Sequence, residues 1–153
     1  YPADMRIECL ETEKVLESEL ALEELDRLKL LGFQILLDDF GAGYSNISYL
    51  RRIPIDVIKL DRSLISQITT DTGSRIIARN VIMMLKELHY VVLAEGVEDQ
   101  ETAHMLNEYG CDEAQGYYFS RPILPDEIPV WLADSKPYRV LERISVNQHQ
   151  YGS

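Results

Sequence analysis

Short apolar runs that end on a charged or amide side chain recur along this chain, separated by longer amphipathic stretches. Phe33–Leu37 (FQILL), Pro54–Leu60 (PIDVIKL) and Tyr90–Ala94 (YVVLA) are almost continuously apolar, as strands covered on both faces are. A shorter strand is predicted through Asp112–Gln115, and another holds Glu8. Between them, Glu13–Leu31 carries Leu16, Leu20, Leu25, Leu28 and Leu31 near helical spacing and stops at Gly32. Gly73–His89 predicts a helix with Ile76, Ile77, Val81, Met84, Leu85 and Leu88 as its buried stripe. Asp99 is placed to cap a further helix that runs through Glu108 and closes at Gly110. Strands alternating with helices predict an α/β fold with a parallel sheet, either doubly wound or closed as a barrel.

The polar strand ends decide between the two. Glu8, Asp38-Asp39, Lys59, Glu95 and Gln115 each fall at or beside the C-terminal end of a predicted strand. In a TIM-type (β/α) barrel all such positions converge on one face, where active sites are built. In an open sheet only a central pair would meet. The spacing therefore predicts a partial barrel of about five βα units, against the roughly eight of a closed one, with further strands expected upstream. Residues 1–133 form the expected domain, and 134–153, of weak periodicity, read as a C-terminal tail or extra helix.

With 153 residues, 46% of them hydrophobic, the chain can bury one core. Its 26 acidic against 15 basic residues, a net charge of −11, argue against binding a nucleic acid polymer, which needs an excess of Lys and Arg. A small phosphorylated ligand remains compatible if metal ions bridge it to carboxylates. Cys9 and Cys111 stand far apart without metal-ligand spacing, and no apolar run approaches the roughly 20 residues of a membrane span. The expectation is a cytoplasmic protein, or the cytoplasmic part of a membrane-anchored sensor, with reduced thiols and no membrane contact by this segment.

Asp38-Asp39-Phe40-Gly41-Ala42-Gly43 is the most informative stretch. Two adjacent carboxylates at the end of an apolar strand are costly to bury without cations, and hard divalent ions take such oxygen ligands. The same residues also suit a helix cap beside a solvated acid, and the residues alone leave both readings open.

The longer run DDFGAGYSNISYLRRIPIDVIKLDRSLI, followed by AEGVEDQETAHMLNEYGCDEAQGYYFSRPI, resembles the EAL-type cyclic di-GMP phosphodiesterase domain in its DDFG, KxD, EGVE and QGYxF motifs. The resemblance covers roughly Ile7 to Leu132 and thus the C-terminal part of such a domain. It implies a TIM barrel holding two Mg²⁺ or Mn²⁺ ions, with Ca²⁺ supporting binding but not fast cleavage, and hydrolysis of cyclic di-GMP to linear pGpG. Carried over by position, Glu8, Asp38, Asp39 and Glu95 are implied metal ligands. Lys59, Glu95 and Gln115 are implied in catalysis, and Phe119, Arg121 and Pro122 lie in the segment near a guanine base. Glu11 and Glu98 are implied to hold loops in shape.

Departures are visible too. Leu10 replaces a threonine of the segment around Glu8, Ala42 replaces another in the DDFG loop, and the EAL tripeptide, a nearby arginine and an asparagine ligand are not in the chain. The expectation is weak activity for this stretch alone, with a cyclic di-GMP-binding or protein-interaction module as the alternative. Unpaired strand edges predict a homodimer, and the resemblance allows an upstream GGDEF cyclase or sensor domain.

Overall fold

The computed structural model describes residues 1–10, 18–43 and 47–134. Five strands form one sheet: β1 (Arg6–Leu10), β2 (Gln34–Phe40), β3 (Val57–Leu60), β4 (Val91–Glu95) and β5 (Glu113–Gln115). All neighbours are parallel and the spatial order repeats the chain order. A doubly wound sheet reverses its order at a switch point; an unbroken sequential order is that of a barrel wall. The helices are α1 (Glu19–Leu30), α2 (Arg62–Ile65), α3 (Thr72–Glu87), α4 (Gln100–Glu108) and α5 (Ile128–Asp134). Among the described residues no helix is long and apolar enough to cross a membrane.

Period-two alternation sorts each strand into two faces. Ile35, Leu37, Ile58, Leu60, Val92 and Ala94 face the helices and share the main core with Leu25, Ile65, Ala78, Ile82, Leu85 and Leu106. The inner face is a separate, smaller apolar layer of Leu36, Val57 and Leu93. Two residues beyond each of these, the same alternation sets Asp38, Lys59 and Glu95.

Curvature is visible in one ion pair. Arg6 of β1 and Glu113 of β5 meet side by side, with Arg6 Nη2 donating to Glu113 Oε1 at 2.7 Å and Nη1 to the other oxygen. Arg6 Nε also donates to Gln34 Oε1 at 2.9 Å. In a flat sheet the outer two of five strands would stand about 19 Å apart, four spacings of about 4.8 Å, and two side chains could not bridge them. The sheet is therefore rolled into an arc.

At its N-terminal edge the arc repeats one device. Asp56, just before β3, accepts from Lys29 Nζ at the end of α1 (2.8 Å) and from the Ile35 amide at the start of β2 (2.9 Å). Asp112, just before β5, accepts from Lys86 Nζ at the end of α3 (2.6 and 2.7 Å) and from the Val92 amide at the start of β4 (2.7 Å). Three residues beyond each lysine the chain turns through a left-handed residue, Gly32 (φ 95°) or His89 (φ 67°). Each aspartate locks a helix end to two strands.

Several sequence expectations shift. β2 runs on through Asp38 and Asp39 to Phe40, where Phe33–Leu37 was expected, because the backbone keeps pairing after an irregularity between Leu37 and Phe40. On α3, Leu85 is buried and Val81 and Met84 partly so, but Ile76, Ile77 and Leu88 are exposed. Helical spacing fits two overlapping stripes, and Ala78, small enough for close approach to the sheet, centres the one used together with Ile82. On α1, Leu25 is buried and Leu28 partly so, while Leu20 and Leu31 are exposed. Leu16, Glu11 and the tail from 135 lie outside the described residues. Both cysteines are free thiols, and burial pushes Cys111 up to about 12.

Two outcomes test this fold. Asp112→Ala removes the side-chain acceptor of the Val92 amide and leaves Lys86 only the Tyr90 carbonyl, and should cost about 1–3 kcal/mol, read as a lower urea midpoint. Glu113→Gln should cost about 0.5–1 kcal/mol at neutral pH, a modest figure because the pair is about a third exposed. The Arg6 hydrogen bond outweighs desolvation and holds the Glu113 carboxyl below its usual range. Its stabilisation is therefore present above the ordinary glutamate value of about 4.3 and is lost as the pH falls through the lowered folded value. The wild-type advantage over Glu113→Gln should vanish in acid melts.

Candidate active site

Lys59 occupies the end of the central strand β3, where all four residues are buried. An ammonium there needs compensation for lost hydration. The flanking strands supply it: Asp38 Oδ1 lies 3.0 Å and Glu95 Oε2 2.9 Å from Lys59 Nζ. Burial disfavours the charged lysine, but the hydrogen bonds to Glu95 and Asp38 and the charges of both outweigh it, so the Lys59 pKa is raised. The side chain is a fixed cation at working pH.

Asp39 reaches the same neighbourhood by breaking the strand rule. Adjacent strand residues ordinarily face opposite sides. Here Asp39 adopts φ 58° within the β2 irregularity, and its amide donates to Asp38 Oδ1 at 2.8 Å. Desolvation first, then the charges of Asp38, Asp61 and Glu95, raise its pKa against the opposing pull of Lys59. Asp38 and Glu95 thus hold the ammonium, and with Asp39 and Asp61 nearby the strand ends carry more negative than positive charge.

An all-oxygen donor set with surplus negative charge fits hard divalent cations. Among the described residues no three His, Cys, Asp or Glu side chains already converge as a metal cage, since Lys59 stands between Asp38 and Glu95. Holding a metal here requires these carboxylates to share their oxygens between Lys59 and the ion.

The segment after β4 is bolted to the segment after β5. The Val97 amide donates to the Gln115 carbonyl and the Tyr118 amide to the Val97 carbonyl, each at 3.0 Å. Gly116 makes this possible, because a Cβ there would lie within the Val97 backbone. Arg62 Nη2, from the first turn of α2, pairs with Glu98 Oε1 at 2.8 Å.

One cleft opens beside the strand ends and another runs along the inner face of the arc. The first, of about 650 Å³, is lined by Glu95, Glu98, Arg62, Arg121, Pro122 and Tyr117, with the Arg121 guanidinium 4.6 Å from the Tyr117 ring centre. The other, of about 820 Å³, is lined by Arg6, Glu8, Glu113 and Phe119. Gln115, Gly116, Ser120 and Trp131 border both.

The structure thus brings together Asp38, Lys59 and Glu95 by direct contact, with Asp39 in electrostatic reach. Gln115, Glu98, Arg121 and Pro122 share a cleft with Glu95, while Phe119 and Glu8 border the other. Glu8 sits mid-strand rather than at the strand end, because Cys9 and Leu10 continue to pair with Leu37 and Asp38. Asp61 and Arg62 were not singled out from the sequence. Asp61 stands two residues beyond Lys59, where the inner-face alternation would have placed it, and its side chain caps α2 at the Ser63 amide, 2.9 Å.

Together, sheet and strand ends define a β/α-barrel domain with an acidic, lysine-centred site on its C-terminal face. The EAL domain family model matches residues 1–122. A cyclic di-GMP phosphodiesterase of Pseudomonas aeruginosa, PA2567, is 38% identical over 128 residues, 84% of this chain and 22% of that protein. The EAL domain of Mycobacterium smegmatis DcpA superposes with a TM-score of 0.80 at 35% identity, covering 88% of this chain and 60% of that one. Klebsiella pneumoniae BlrP1, solved as a calcium/cy-diGMP complex, superposes with a TM-score of 0.72 at 36% identity over 79% of this chain and 31% of that one. The chain belongs to the EAL domain family, and it spans under a quarter of the length of the curated relative.

Gly116→Ala should force the two loops apart at Val97. A loss of roughly 2–4 kcal/mol is expected by urea denaturation, with weaker binding of any ligand that bridges the two clefts.

Proposed function

We propose that this chain supplies catalytic groups for the metal-dependent hydrolysis of cyclic di-GMP to linear pGpG. The carrying observation is the Lys59 ammonium held between Asp38 and Glu95 on the C-terminal face of the arc. The names of PA2567 and of the BlrP1 complex support the substrate.

In this reading Asp38, Asp39, Glu95 and Glu8 would hold two Mg²⁺ or Mn²⁺ ions. Bound there, the ions supply an activated water and neutralise phosphate charge. Lys59, fixed and charged, donates to a phosphoryl oxygen as negative charge grows on it, an interaction that strengthens toward the transition state. Glu95, exposed enough to face the cleft, is placed to take the proton of the attacking water. Gln115 steadies the site by hydrogen bonding, and Phe119, Arg121 and Pro122 flank a guanine base. Glu98 keeps the Glu95 loop in place. A second reading, binding of the dinucleotide without cleavage, is favoured by the lack of a ready-formed three-donor cage among the described residues.

Paired measurements on Lys59→Ala in an intact EAL domain carrying this chain test the proposal: hydrolysis in Mn²⁺ followed by product chromatography, and calorimetric binding of cyclic di-GMP in Ca²⁺. Turnover should fall about a hundredfold or more with affinity nearly unchanged. Equal losses of both would make Lys59 a binding residue. An intact EAL domain carrying this chain that binds in Ca²⁺ but never turns over in Mn²⁺ or Mg²⁺ would favour the second reading.

A further inference from the structure

Arg62 has no part in the chemistry described above, and although its side chain is 58% exposed, its backbone and stem are both held. It follows Asp61, whose amide donates to the Phe40 carbonyl at 3.0 Å, so its backbone is tied to the end of β2. From there its stem crosses the backbone of the next loop at Gly96. A Cβ at that position would meet Arg62 Cγ at 2.8 Å and Cδ at 3.0 Å, and Gly96 itself holds φ 76°. Beyond the crossing, the guanidinium pairs with Glu98. The arginine therefore lies across the segment 95–98 from above, while the buried Val97 side chain anchors it in the core and the Gln115–Val97 and Val97–Tyr118 hydrogen bonds hold it from the β5 side.

That segment begins with Glu95, the more exposed of the two carboxylates on Lys59, at 38% against 14% for Asp38. Asp38 is held by its strand and by the Asp39 amide. Glu95, as the last residue of β4, has its direction set by the loop that leaves it. We infer that Arg62 is a positioning residue for Glu95: its passage over Gly96 and its ion pair with Glu98 fix the loop that keeps the Glu95 carboxylate on Lys59. The inference deepens the proposed function, because it assigns to one turn, Lys59-Leu60-Asp61-Arg62, the task of holding both neighbouring strand ends in catalytic register.

The test uses the full chain and two kinds of readout, so that it stands even if hydrolysis is not observed. Hydrogen exchange of the Val97 and Tyr118 amides in the ligand-free protein reports the loop directly. Arg62→Ala should raise their exchange roughly fivefold, the scale expected for a partly exposed ion pair, with α3 amides unchanged. Arg62→Lys should restore less than half of the protection, since lysine lacks the fork that grips a carboxylate. The doubly substituted Arg62→Ala/Gly96→Ala protein should exchange more slowly than the sum of the single effects requires, because removing Arg62 Cγ and Cδ relieves the two tightest contacts of the added Cβ, leaving only the one with Arg62 Cβ at 3.1 Å.

In hydrolysis assays, Arg62→Ala should lower kcat with little change in KM. Three outcomes would overturn the inference: unchanged exchange at Val97 and Tyr118, strict additivity of the two substitutions, or a rise in KM alone with the loop still protected. The last would make Arg62 a ligand-contacting residue. An intact EAL domain carrying this chain that never hydrolyses cyclic di-GMP would instead refute the proposed function, leaving the exchange result to decide on Arg62.

Discussion

A buried lysine charge is the constraint around which this structure is arranged. Lys59 sits on the central strand, and burying its ammonium is tolerable only where anions replace the lost water. Asp38 and Glu95 do so from the two adjacent strands, which fixes the lateral register of β2, β3 and β4 at their C-terminal ends. The reverse dependence holds as well. Without Lys59, Asp38 and Glu95 would face each other across an apolar layer with no cation between them. Each charge makes the others affordable in the folded state, and the surplus of carboxylates leaves the site attractive to cations.

The two ends of the arc divide the labour. At the N-terminal end, Asp56 with Lys29 and Asp112 with Lys86 satisfy strand amides and bind helix ends, so their charges are spent on the fold. Arg6 and Glu113 close the arc from inside. At the C-terminal end the charges are not used up: Asp38 and Glu95 share one lysine with Asp39 nearby, and a cleft opens beside Glu95. The loops there are anchored by the Val97 side chain, buried in the main core, by Tyr118 and Phe119 packed against that core, and by the backbone contacts at Gly116.

Much of this was legible in the sequence. The apolar runs marked β2, β3 and β4, and polar residues at their ends identified Asp38, Lys59 and Glu95 as inhabitants of one face. Two features escaped that reading because they depend on backbone conformation and on partners distant in sequence. Strand alternation gave no sign that Asp39 would turn through a left-handed conformation and join Asp38, since that requires a bulge. The pairs Arg6–Glu113 and Arg62–Glu98 join residues whose proximity follows only from the curvature of the sheet and the path of the loops. On α3, helical spacing admitted more than one buried stripe, and Ile76 and Ile77 proved to lie outside the one that packs.

The most direct test of the account is the protonation state of Lys59 in solution. In protein labelled with ¹⁵N-lysine, the Nζ resonance of Lys59 can be followed through an alkaline titration and assigned by its loss in Lys59→Met. The expected result is an ammonium that persists well above the ordinary lysine value of about 10.4, with that persistence reduced in Asp38→Asn and again in Glu95→Gln. A Lys59 that releases its proton at or below the ordinary value, or that is indifferent to both substitutions, would contradict the carboxylate clamp on which the site is built.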